Sequence, residues 1–358
     1  MDADFIIIGG GIAGVSAAAR LAELGSVLLL EGEDSLAHHA SGRSAALYEP
    51  HYGAAPVVGL SLASHAYFFA QKDVLSPRGL LTVAQGFEME ALRADADAMN
   101  LTLITGEQAC AMVPILNPDV VKGGATADHA WDIDTDLLLQ GFAKVARGHG
   151  ARIMTKAQVT GITRTTGGWS VATKAGDFTS ATLINAAGAW VDQVAQMAGV
   201  RPLGFQPNRR SMARIPAPGG HDVRHWPMLF GVGETWYAKP DAGAMLVSPA
   251  EEHPMQPHDA FADDLVLAEG LARYEAMVTE PVTRLITSWA GLRTFAPDRV
   301  LVIGRDVREP AFFWLAGQGG YGFQTSPAAS QLAADLIAGR PPEIAPDLVA
   351  ALSPARFG

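Results

Sequence analysis

The chain has 358 residues, of which 49% are apolar and 18% are charged, and its formal net charge is −11 at pH 7. This length allows a large buried core, and the acidity disfavours nucleic acid or an anionic membrane surface as a partner. The single cysteine, Cys110, excludes an intramolecular disulfide and multi-cysteine metal sites, so we predict no metal centre.

No stretch of the sequence indicates export or membrane insertion. Residues 1–8 carry acids instead of a basic leader, and no apolar run approaches the ~20 residues of a membrane helix. We therefore predict a cytoplasmic protein without a membrane span.

A nucleotide-binding pattern opens the chain. The apolar strand Phe5–Ile8 leads into Gly9-Gly10-Gly11-Ile12-Ala13-Gly14, a small-residue helix, and a second strand, 27–30, that ends on Glu31. Glycines at 9, 11 and 14 allow a tight turn, backbone approach to a pyrophosphate and close packing of helix on strand, and the acid can accept hydrogen bonds from a ribose. The order of these features predicts a dinucleotide-binding βαβ unit.

The next part of the chain alternates helices, loops and short strands. A small-residue segment, 41–46, leads into the aromatic-rich residues 48–52. Helices are predicted over 60–72, from a capping box at Thr105 and Gln108, and over 135–147 after the cap Asp134, whereas 114–133 is predicted to be a loop. Short strands are predicted near 151–154, 159–165, 169–173 and 182–185.

The texture of the sequence changes between residues 201 and 285. Prolines cluster there, strands are predicted at 212–215, 235–238 and 244–247, and one helix is predicted at 263–277. Apolar strands return at 300–303 and 312–316, and Ser326-Pro327 is predicted to start a final helix that ends before Gly339. The pattern indicates a sheet-based second lobe interleaved with the first.

A second glycine pattern, Gly317-x-Gly319-x-x-Gly322, follows the strand at 312–316. No later strand ends in an acid, so this pattern does not predict an NAD site. It predicts instead that glycine backbone without side chains packs against the flat ring of a cofactor. The helix from Ser326 would then direct its positive end toward the pyrimidine side of that ring. One nucleotide clamp and one distant glycine cradle favour FAD over NAD.

Five segments together resemble the FAD-dependent D-amino-acid oxidase and glycine/sarcosine oxidase family: 9–14, 41–44, 185–190, 289–293 and 317–324. Four more segments resemble the bacterial D-arginine dehydrogenase type within it: 132–136, 209–211, 226–229 and 239–243. The match covers nearly the whole chain. It implies an α/β fold with an α+β second lobe, in which a Rossmann-like FAD-binding domain (1–50, 130–200 and 286–358) is interleaved with a mixed-sheet substrate-binding domain (51–129 and 201–285).

The glycine patterns and the resemblance together predict the cofactor contacts. FAD is expected to be non-covalent, although His38 and His39 precede the segment where some relatives attach flavin to a histidine. The predicted contacts are Gly9, Gly11, Ile12, Ala13, Gly14, Glu31, Ser41, Gly42, Arg43, Ser44, Ala45, Val159, Ala187, Gly188, Trp190, Arg293, Gly319, Gly320, Tyr321, Gly322, Gln324 and Thr325.

The resemblance also implies how an amino-acid substrate is held. Arg210 and Arg293 match the arginines that bind the substrate carboxylate, a task suited to the planar guanidinium. Arg209 is adjacent to Arg210 on a predicted strand and faces the other way. Tyr52 and Tyr237 match pocket tyrosines. The carbonyl of Gly320 and the side chain of Gln324 are expected near the substrate amine and the flavin.

Two departures from the arginine-preferring relatives concern the side-chain pocket. Leu80 and Leu47 stand where those relatives carry a glutamate and a histidine. Leucine cannot neutralise a guanidinium, so we predict an uncharged, largely apolar substrate side chain lined by Leu47, Leu80, Met228 and Phe230. Glu49 and His51 are close enough in sequence to replace the missing polar groups, which leaves a polar substrate open.

The predicted function is oxidative deamination of D-amino acids by hydride transfer from Cα to flavin N5, giving an imino acid that hydrolyses to a 2-oxo acid and ammonia. No residue stands out as a general base, although His51 is a candidate, and a substrate with a neutral amine needs none. The alternatives are an oxygen-using oxidase of N-methyl or secondary amino acids, of the sarcosine or proline type, and a flavin-binding module without turnover. The electron acceptor (quinone, another carrier or oxygen) stays open.

Overall fold

A computed structural model describes residues 1–358 and contains twenty strands and ten α-helices. The strands are β1 (Ala3–Ile8), β2 (Val27–Leu30), β3 (Leu47–Tyr48), β4 (Leu75–Pro77), β5 (Leu80–Ala84), β6 (Thr102–Thr105), β7 (Gly123–Ala127), β8 (Trp131–Ile133), β9 (Arg152–Met154), β10 (Val159–Thr165), β11 (Gly168–Thr173), β12 (Gly176–Asn185), β13 (Gln206–Pro216), β14 (Met228–Gly231), β15 (Tyr237–Asp241), β16 (Ala244–Ser248), β17 (His253–Pro254), β18 (Thr287–Phe295), β19 (Val302–Arg305) and β20 (Phe312–Ala316). The helices are α1 (Ile12–Leu21), α2 (Ala55–Ala63), α3 (His65–Ala70), α4 (Met89–Met99), α5 (Gly106–Met112), α6 (Thr135–Gly148), α7 (Val191–Met197), α8 (Asp264–Glu275), α9 (Gly322–Ala338) and α10 (Pro346–Leu352).

An eight-stranded sheet carries the predicted nucleotide-binding unit. Its middle strands β9, β2, β1, β12 and β20 are parallel neighbours, and β10, β11 and β19 extend it in antiparallel fashion. Ile7 packs on one face with α1, α6 and α9, while Ile6 and Ile8 pack on the other face with α7. A parallel strand covered on both faces needs an uninterrupted apolar run, which explains the sequence Phe5–Ile8.

Two glycines make the turn from β1 into α1 possible. Gly9 has a φ of +112°, and a Cβ placed there would lie 2.3 Å from the Ala186 carbonyl oxygen. A Cβ on Gly14 would lie 2.0 Å from the carbonyl oxygen of Gly9. The predicted tight turn and the close approach of helix to strand are therefore both present.

A nine-stranded sheet forms the second layer, in the order β17-β13-β16-β15-β14-β5-β7-β6, with β18 on the other edge of β13. In the antiparallel pair β13–β18, Arg210 lies opposite Gly291 and Arg293 lies opposite Asn208. Because residues two apart on a strand share a face, the two arginines are diagonal neighbours on one face of the sheet. Arg209 lies on the other face, as strand alternation predicts.

A small third sheet, β3-β8-β4, is tied to the second lobe by a buried polar network. Asp132 on β8 accepts a hydrogen bond from Arg78 Nε at 2.7 Å and lies 2.9 Å from Lys239 Nζ. Lys239 also donates to the carbonyl oxygen of Ala45 at 2.7 Å. This network holds the segment after β2 against the nine-stranded sheet.

The predicted α/β fold with a sheet-based second lobe is confirmed. No helix combines the length and apolar character needed to cross a membrane. The exact domain boundaries stay a prediction. Strand β18 pairs within the nine-stranded sheet, although the predicted boundary at 286 assigns it to the cofactor domain.

Three local predictions are wrong. The segment 114–133 contains β7 and β8, and Gly123 lies within β7 instead of a turn, where it lets α4 pack closely: a Cβ on Gly123 would meet the Met89 side chain at 2.6 Å. The helix predicted over 60–72 is divided at Ser64 into α2 and α3, and residues 71 and 72 lie beyond the end of α3. Helix α9 begins at Gly322 and not at Ser326, since the Ser326 hydroxyl donates to the Phe323 carbonyl oxygen that Pro327 leaves without a donor.

We expect Gly14→Ala to lower the free energy of unfolding by at least about 2 kcal/mol, because its Cβ would overlap the Gly9 carbonyl. The matched control is Gly141→Ala in α6, where an added Cβ has no atom within 4 Å; this substitution is expected to add about 0.5–1 kcal/mol. Urea unfolding of both variants measures the contrast. Equal effects in the two variants would contradict this account of the turn.

Candidate active site

Two cavities contain predicted site residues, and the larger of them, about 530 Å³, lies at the carboxyl ends of β1 and β2, where α/β sheets commonly bind ligands. Its wall combines the first glycine turn with segments 37–43, 157–159 and 186–190. The predicted cofactor contacts in this wall are Gly9, Gly11, Glu31, Ser41, Arg43, Val159, Ala187, Gly188 and Trp190.

Glu31 and Ser41 shape the turn as well as the wall. Glu31 Oε2 accepts from the Gly10 N–H at 2.7 Å, and Ser41 Oγ accepts from the Ile12 N–H at 3.0 Å. A carboxylate oxygen has two lone pairs, so Glu31 can still accept from a ribose hydroxyl. The N-cap residue of α1, Gly11, has no side chain to cap the helix, and Ser41 engages only one of the first N–H groups, so the positive end can still bind a phosphate. These residues fit a dinucleotide.

Arg43 and two histidines border the same cavity. The Arg43 guanidinium donates to the carbonyl oxygens of Ala260 and Ala290, at 2.7 and 2.9 Å, and pairs with Asp259, so it links this wall to β18. His39 Nε2 lies 3.0 Å from a Glu33 carboxylate oxygen. The ligand atoms of Glu33, His38 and His39 lie within 4.8 Å of one another, and His38 Nε2 lies 4.0 Å from a carboxylate oxygen of Asp259.

The smaller cavity, about 60 Å³, collects most of the predicted substrate residues. Nine of them line it: Leu47, Tyr52, Leu80, Met228, Phe230, Tyr237, Arg293, Gly320 and Gln324. Ser44 and Ala45, predicted as cofactor contacts, line this cavity and not the larger one. Arg210 and His51 do not line it. The guanidinium of Arg210 is engaged by acids, and the His51 ring lies against the ring of His129, with the centroids 5.1 Å apart.

One face of the nine-stranded sheet provides the apolar side of this cavity. Met228 on β14 is in register with Leu80 on the parallel strand β5, and Phe230 is in register with Tyr237 on β15. Met228 and Phe230 are two residues apart and share this face, whereas Leu229 between them packs into the core on the other side.

A cluster of charges closes one end of the cavity around Glu234. Arg210 Nη1 donates to Glu234 Oε1 at 2.7 Å, and Arg293 Nη1 lies 3.6 Å from the same oxygen. The Tyr52 hydroxyl donates to Glu234 Oε2 at 2.5 Å. Arg210 Nη2 also donates to Glu252 at 3.2 Å. A carboxylate of the protein therefore already sits on the donors that were predicted to hold the substrate carboxylate.

Burial and charge act in opposite directions on this cluster. Burial favours the protonated form of Glu234, but Arg293, Arg210 and Tyr52 outweigh it and lower the pKa of this carboxyl group. Burial disfavours the Arg293 cation, yet the neighbouring phenols and Glu234 outweigh it and raise the pKa of the guanidinium. Burial, followed by the charge of Glu234, raises the pKa of Tyr52 well above its usual range. The cluster thus holds one carboxylate between two cations and a neutral phenol.

Sequence reasoning missed Glu234. This acid ends a short 3₁₀ turn, Val232–Glu234, and has a φ of +54°, which places its side chain back over the sheet. The only available signal was an acid next to glycine in the turn between two strands, and such acids are common in solvent-exposed turns.

The second glycine segment packs beside this cluster. Gly319 has a φ of +52°, and a Cβ there would lie 2.3 Å from the Phe295 ring. A Cβ on Gly320 would lie 3.0 Å from the Arg293 guanidinium. Bare backbone is therefore required for this approach. Since α9 begins at Gly322, its positive end lies next to the smaller cavity and not four residues further on, as the predicted start at Ser326 required.

The remaining predicted cofactor contacts lie around these glycines without lining either cavity. Gly322 packs against Ile12, and the Thr325 hydroxyl donates to the Tyr321 carbonyl oxygen at 2.8 Å. Gly42 is held close to the Ala37 carbonyl oxygen, which a Cβ would approach to 2.2 Å. Their contacts with a cofactor, and those of Ala13, stay predictions.

Glu49 is the second acid at the smaller cavity. Its side chain is 2% exposed, Oε1 accepts from the His51 N–H at 3.0 Å, and Oε2 has no hydrogen-bond partner. Burial raises the pKa of Glu49 to about 8, against the opposing effect of the His51 N–H. His129 Nε2 lies 3.1 Å from Glu49 Oε1 without a well-aligned hydrogen bond.

We expect Glu234→Gln to strengthen the binding of a small carboxylate such as acetate about tenfold. The substitution removes the anion that engages Arg210 and Arg293, and a charge-assisted hydrogen bond contributes about 1.5–3 kcal/mol. Isothermal titration calorimetry measures the change, with Glu269→Gln on the exposed face of α8 as the control. Unchanged acetate affinity would mean that Glu234 does not occupy a carboxylate site.

The pKa of Glu49 predicts a pH-dependent stability. Its folded-state pKa of about 8 lies above the ordinary value of 4.5, so the folded protein holds the extra proton between these pH values. The stabilisation is complete below pH 4.5 and is lost as the pH rises through 8. Glu49→Gln lacks this loss and is expected to gain up to about 4 kcal/mol relative to the wild type between pH 5 and pH 9. Urea unfolding of both proteins at pH 5 and pH 9 measures this change. A difference in the free energy of unfolding that is the same at both pH values would contradict the prediction.

The sequence matches the family model described as FAD dependent oxidoreductase (DAO) over residues 4–336. Human mitochondrial dimethylglycine dehydrogenase is 26% identical over 391 aligned residues, which cover 99% of this chain and 44% of that protein. The sarcosine oxidase subunit beta of Rhizobium meliloti is 24% identical, over 95% of this chain and 85% of its own length. The chain thus spans less than half the length of the dimethylglycine dehydrogenases it matches.

Solved structures share the fold. Glycine oxidase from Geobacillus kaustophilus superposes with a TM-score of 0.83 at 21% identity, covering 98% of both chains. L-proline dehydrogenase from P. horikoshii superposes with a TM-score of 0.82 at 22% identity, covering 99% of this chain and 98% of the other. Since the family model spans residues 4–336, the chain belongs to the DAO family of FAD-dependent oxidoreductases.

Proposed function

We propose that this protein oxidises the Cα–N bond of a small amino acid with an uncharged side chain. FAD, when bound, would supply the hydride acceptor. The oxidised substrate, an imine or iminium, then hydrolyses in water to a carbonyl compound and an amine or ammonia. The observation that carries the proposal is the carboxylate-binding cluster of Arg293, Arg210 and Tyr52. It closes an apolar cavity beside the glycine segment 317–322.

The cluster supports a carboxylate substrate because a carboxylate already fits it. Arg293 lines the cavity, and Glu234, its nearest acidic partner, is 3.6 Å away. The guanidinium therefore has N–H donors available for a substrate carboxylate. Arg210 is more tightly held, at 2.7 Å from Glu234, and would join only when Glu234 moves aside. A substrate held in this way has its Cα fixed, and fixed geometry can provide several kcal/mol of rate acceleration.

The apolar wall supports an uncharged side chain. Leu47, Leu80, Met228 and Phe230 offer no anion, and a guanidinium or ammonium buried against them would lose its hydration without compensation. The volume of about 60 Å³ also favours a small substrate.

The relatives favour a substituted amine over the D-amino acid predicted first. Two of them are named for dimethylglycine and sarcosine, both N-methylated glycines. We therefore place N-methyl and secondary amino acids first. D-Amino acids with uncharged side chains come second, favoured by the segments that resemble the D-arginine dehydrogenase type.

An anaerobic substrate panel tests this proposal. We expect sarcosine, N,N-dimethylglycine or proline to bleach the flavin absorbance faster than D-alanine, D-leucine or D-methionine, and D-arginine to be slowest because its cation lacks a partner. Readmission of air, or of a quinone, then identifies the electron acceptor. If no amino acid in the panel bleaches the flavin, the protein is a flavin-binding module without this activity.

Arg293→Lys tests the carboxylate contact. We expect the KM for the best amino acid to rise about 10- to 100-fold, since lysine cannot reproduce the planar donor pair. Arg214→Lys is the matched control, because Arg214 lies on the same sheet and pairs with Asp241 away from the cavity. An Arg293→Lys enzyme with an unchanged KM would exclude Arg293 as the carboxylate ligand.

A further inference from the structure

The proposed function assigns no role to the buried carboxyl group of Glu49. It lines the smaller cavity, is 2% exposed, and its Oε2 has no partner in the protein. A buried carboxyl oxygen without a hydrogen bond is costly, and such exceptions occur where a ligand completes the site. The missing partner of Glu49 is therefore expected to come from a molecule in this cavity.

The neighbours of Glu49 place it near the amine of a bound amino acid. Its N–H donates to Gln324 Oε1 at 3.2 Å, which ties it to the first turn of α9. Tyr52, three residues later on the same loop, reaches the carboxylate cluster. In an amino acid a single carbon separates carboxylate and nitrogen. Because Arg293 and Glu49 line the same small cavity, one amino acid can offer its carboxylate to Arg293 and its nitrogen to Glu49.

His129 connects Glu49 to the outside. Its Nε2 lies 3.1 Å from Glu49 Oε1, and its side chain is 27% exposed. Burial, followed by the nearby His51, lowers the pKa of His129, which favours the neutral ring, so a proton taken up by this ring is readily released. The ring centroids of His129 and His51 lie 5.1 Å apart, so Glu49, His129 and His51 form a chain of titratable groups that leads from the buried acid toward solvent.

We propose that Glu49 accepts a proton from the ammonium group of the substrate and that His129 passes this proton to solvent. The inference rests on the proposed amino-acid oxidation. One N–H bond of the ammonium breaks and an O–H bond forms on Glu49 Oε2, with no change in oxidation state. The carboxyl group then turns, that O–H bond breaks, and an N–H bond forms on His129 Nε2, which lies next to Glu49 Oε1. The substrate nitrogen keeps the electron pair, which then assists departure of the hydride from Cα.

The surroundings of Glu49 suit this role. A base works best when its pKa lies near the working pH, and the value of about 8 brings Glu49 closer to an ammonium group than an ordinary carboxylate. The titratable or charged groups around it are Tyr48 and His51 on its own segment, His129 and Asp128 before β8, and Tyr52, Glu234 and Arg293 at the cavity. Helix α9 contributes only the uncharged Gln324.

Binding of a substrate analogue that cannot react tests the contact without turnover. 2-Aminoisobutyrate has no hydrogen on Cα, and isobutyrate also lacks the amine. We expect the Kd of 2-aminoisobutyrate to fall as the pH rises through about 8 in the wild type and in the surface control Glu90→Gln. In Glu49→Gln this transition disappears and the Kd at pH 9 rises at least tenfold, while isobutyrate binding is unchanged. An identical pH profile in the wild type and Glu49→Gln would overturn the proposal.

Stopped-flow reduction of the flavin tests the proton transfer itself. With an accepted substrate we expect Glu49→Gln to react about 100-fold more slowly at pH 8, with its pH profile displaced toward the pKa of the substrate ammonium. Glu49→Asp should recover part of the rate. His129→Asn should be slowed and rescued by added imidazole. An unaltered rate and profile in Glu49→Gln would show that the substrate enters with a neutral amine.

These outcomes separate the two proposals. If the wild type is not reduced by any amino acid, the proposed function fails, and the binding profile of 2-aminoisobutyrate still decides whether Glu49 recognises an amine. If reduction occurs and Glu49→Gln behaves as wild type in both experiments, only the role of Glu49 fails. Flavin content and thermal unfolding of each variant verify that it is folded.

Discussion

The antiparallel pairing of β13 with β18 is the constraint on which the site depends. This register sets Arg210 opposite Gly291 and Arg293 opposite Asn208, so two guanidiniums project from one face as diagonal neighbours. A shift of one residue in either strand would turn one of them to the opposite face, where Arg209 is held by Glu251 and Asp263. The long pairing, from Gln206 to Arg214, makes such a slip unfavourable because each paired residue would lose its partner.

Two adjacent cations, the buried Arg210 and the partly buried Arg293, need anions, and this need explains the acids around them. Glu234 and Glu252 are the carboxylates nearest to Arg210, and Glu234 is shared with Arg293. Removing a charge from a buried pair leaves the other uncompensated, at a cost of several kcal/mol. The same physics allows exchange: a substrate carboxylate that replaces Glu234 preserves the charge balance. Binding can therefore proceed without an unpaired buried guanidinium.

The two lobes contribute different parts of the cavity. The sheet face supplies apolar side chains and cations, whereas the loop after β3 supplies Glu49 and Tyr52 and the start of α9 supplies Gln324. Lys239 and Asp132 hold the segment beside this loop, since Lys239 donates to two carbonyl oxygens there and lies 2.9 Å from Asp132. A buried network of this kind fixes the distance between the lobes, so the polar groups at both ends of the cavity remain aligned with a single small substrate.

The sequence alone was sufficient for the features that depend on neighbouring residues. The turn at Gly9 to Gly14, the position of Glu31 and the opposite directions of Arg209 and Arg210 follow from backbone geometry within one βαβ unit or one strand. The apolar positions Leu80 and Met228 were also predicted, because resemblance to the family placed them in the pocket.

Only the tertiary structure decided the partners of the charged groups. Glu234 meets Tyr52, and Glu49 meets His129, across separations in sequence that no periodicity encodes. The start of α9 depended on whether the carbonyl freed by Pro327 found another donor, and the Ser326 hydroxyl supplied one. His51 lay outside the cavity because its ring packs against His129. Local patterns follow from the backbone geometry of neighbouring residues. The contacts of Glu234, Glu49 and His51 depend instead on strand register and on packing between distant segments, which a local sequence pattern does not specify.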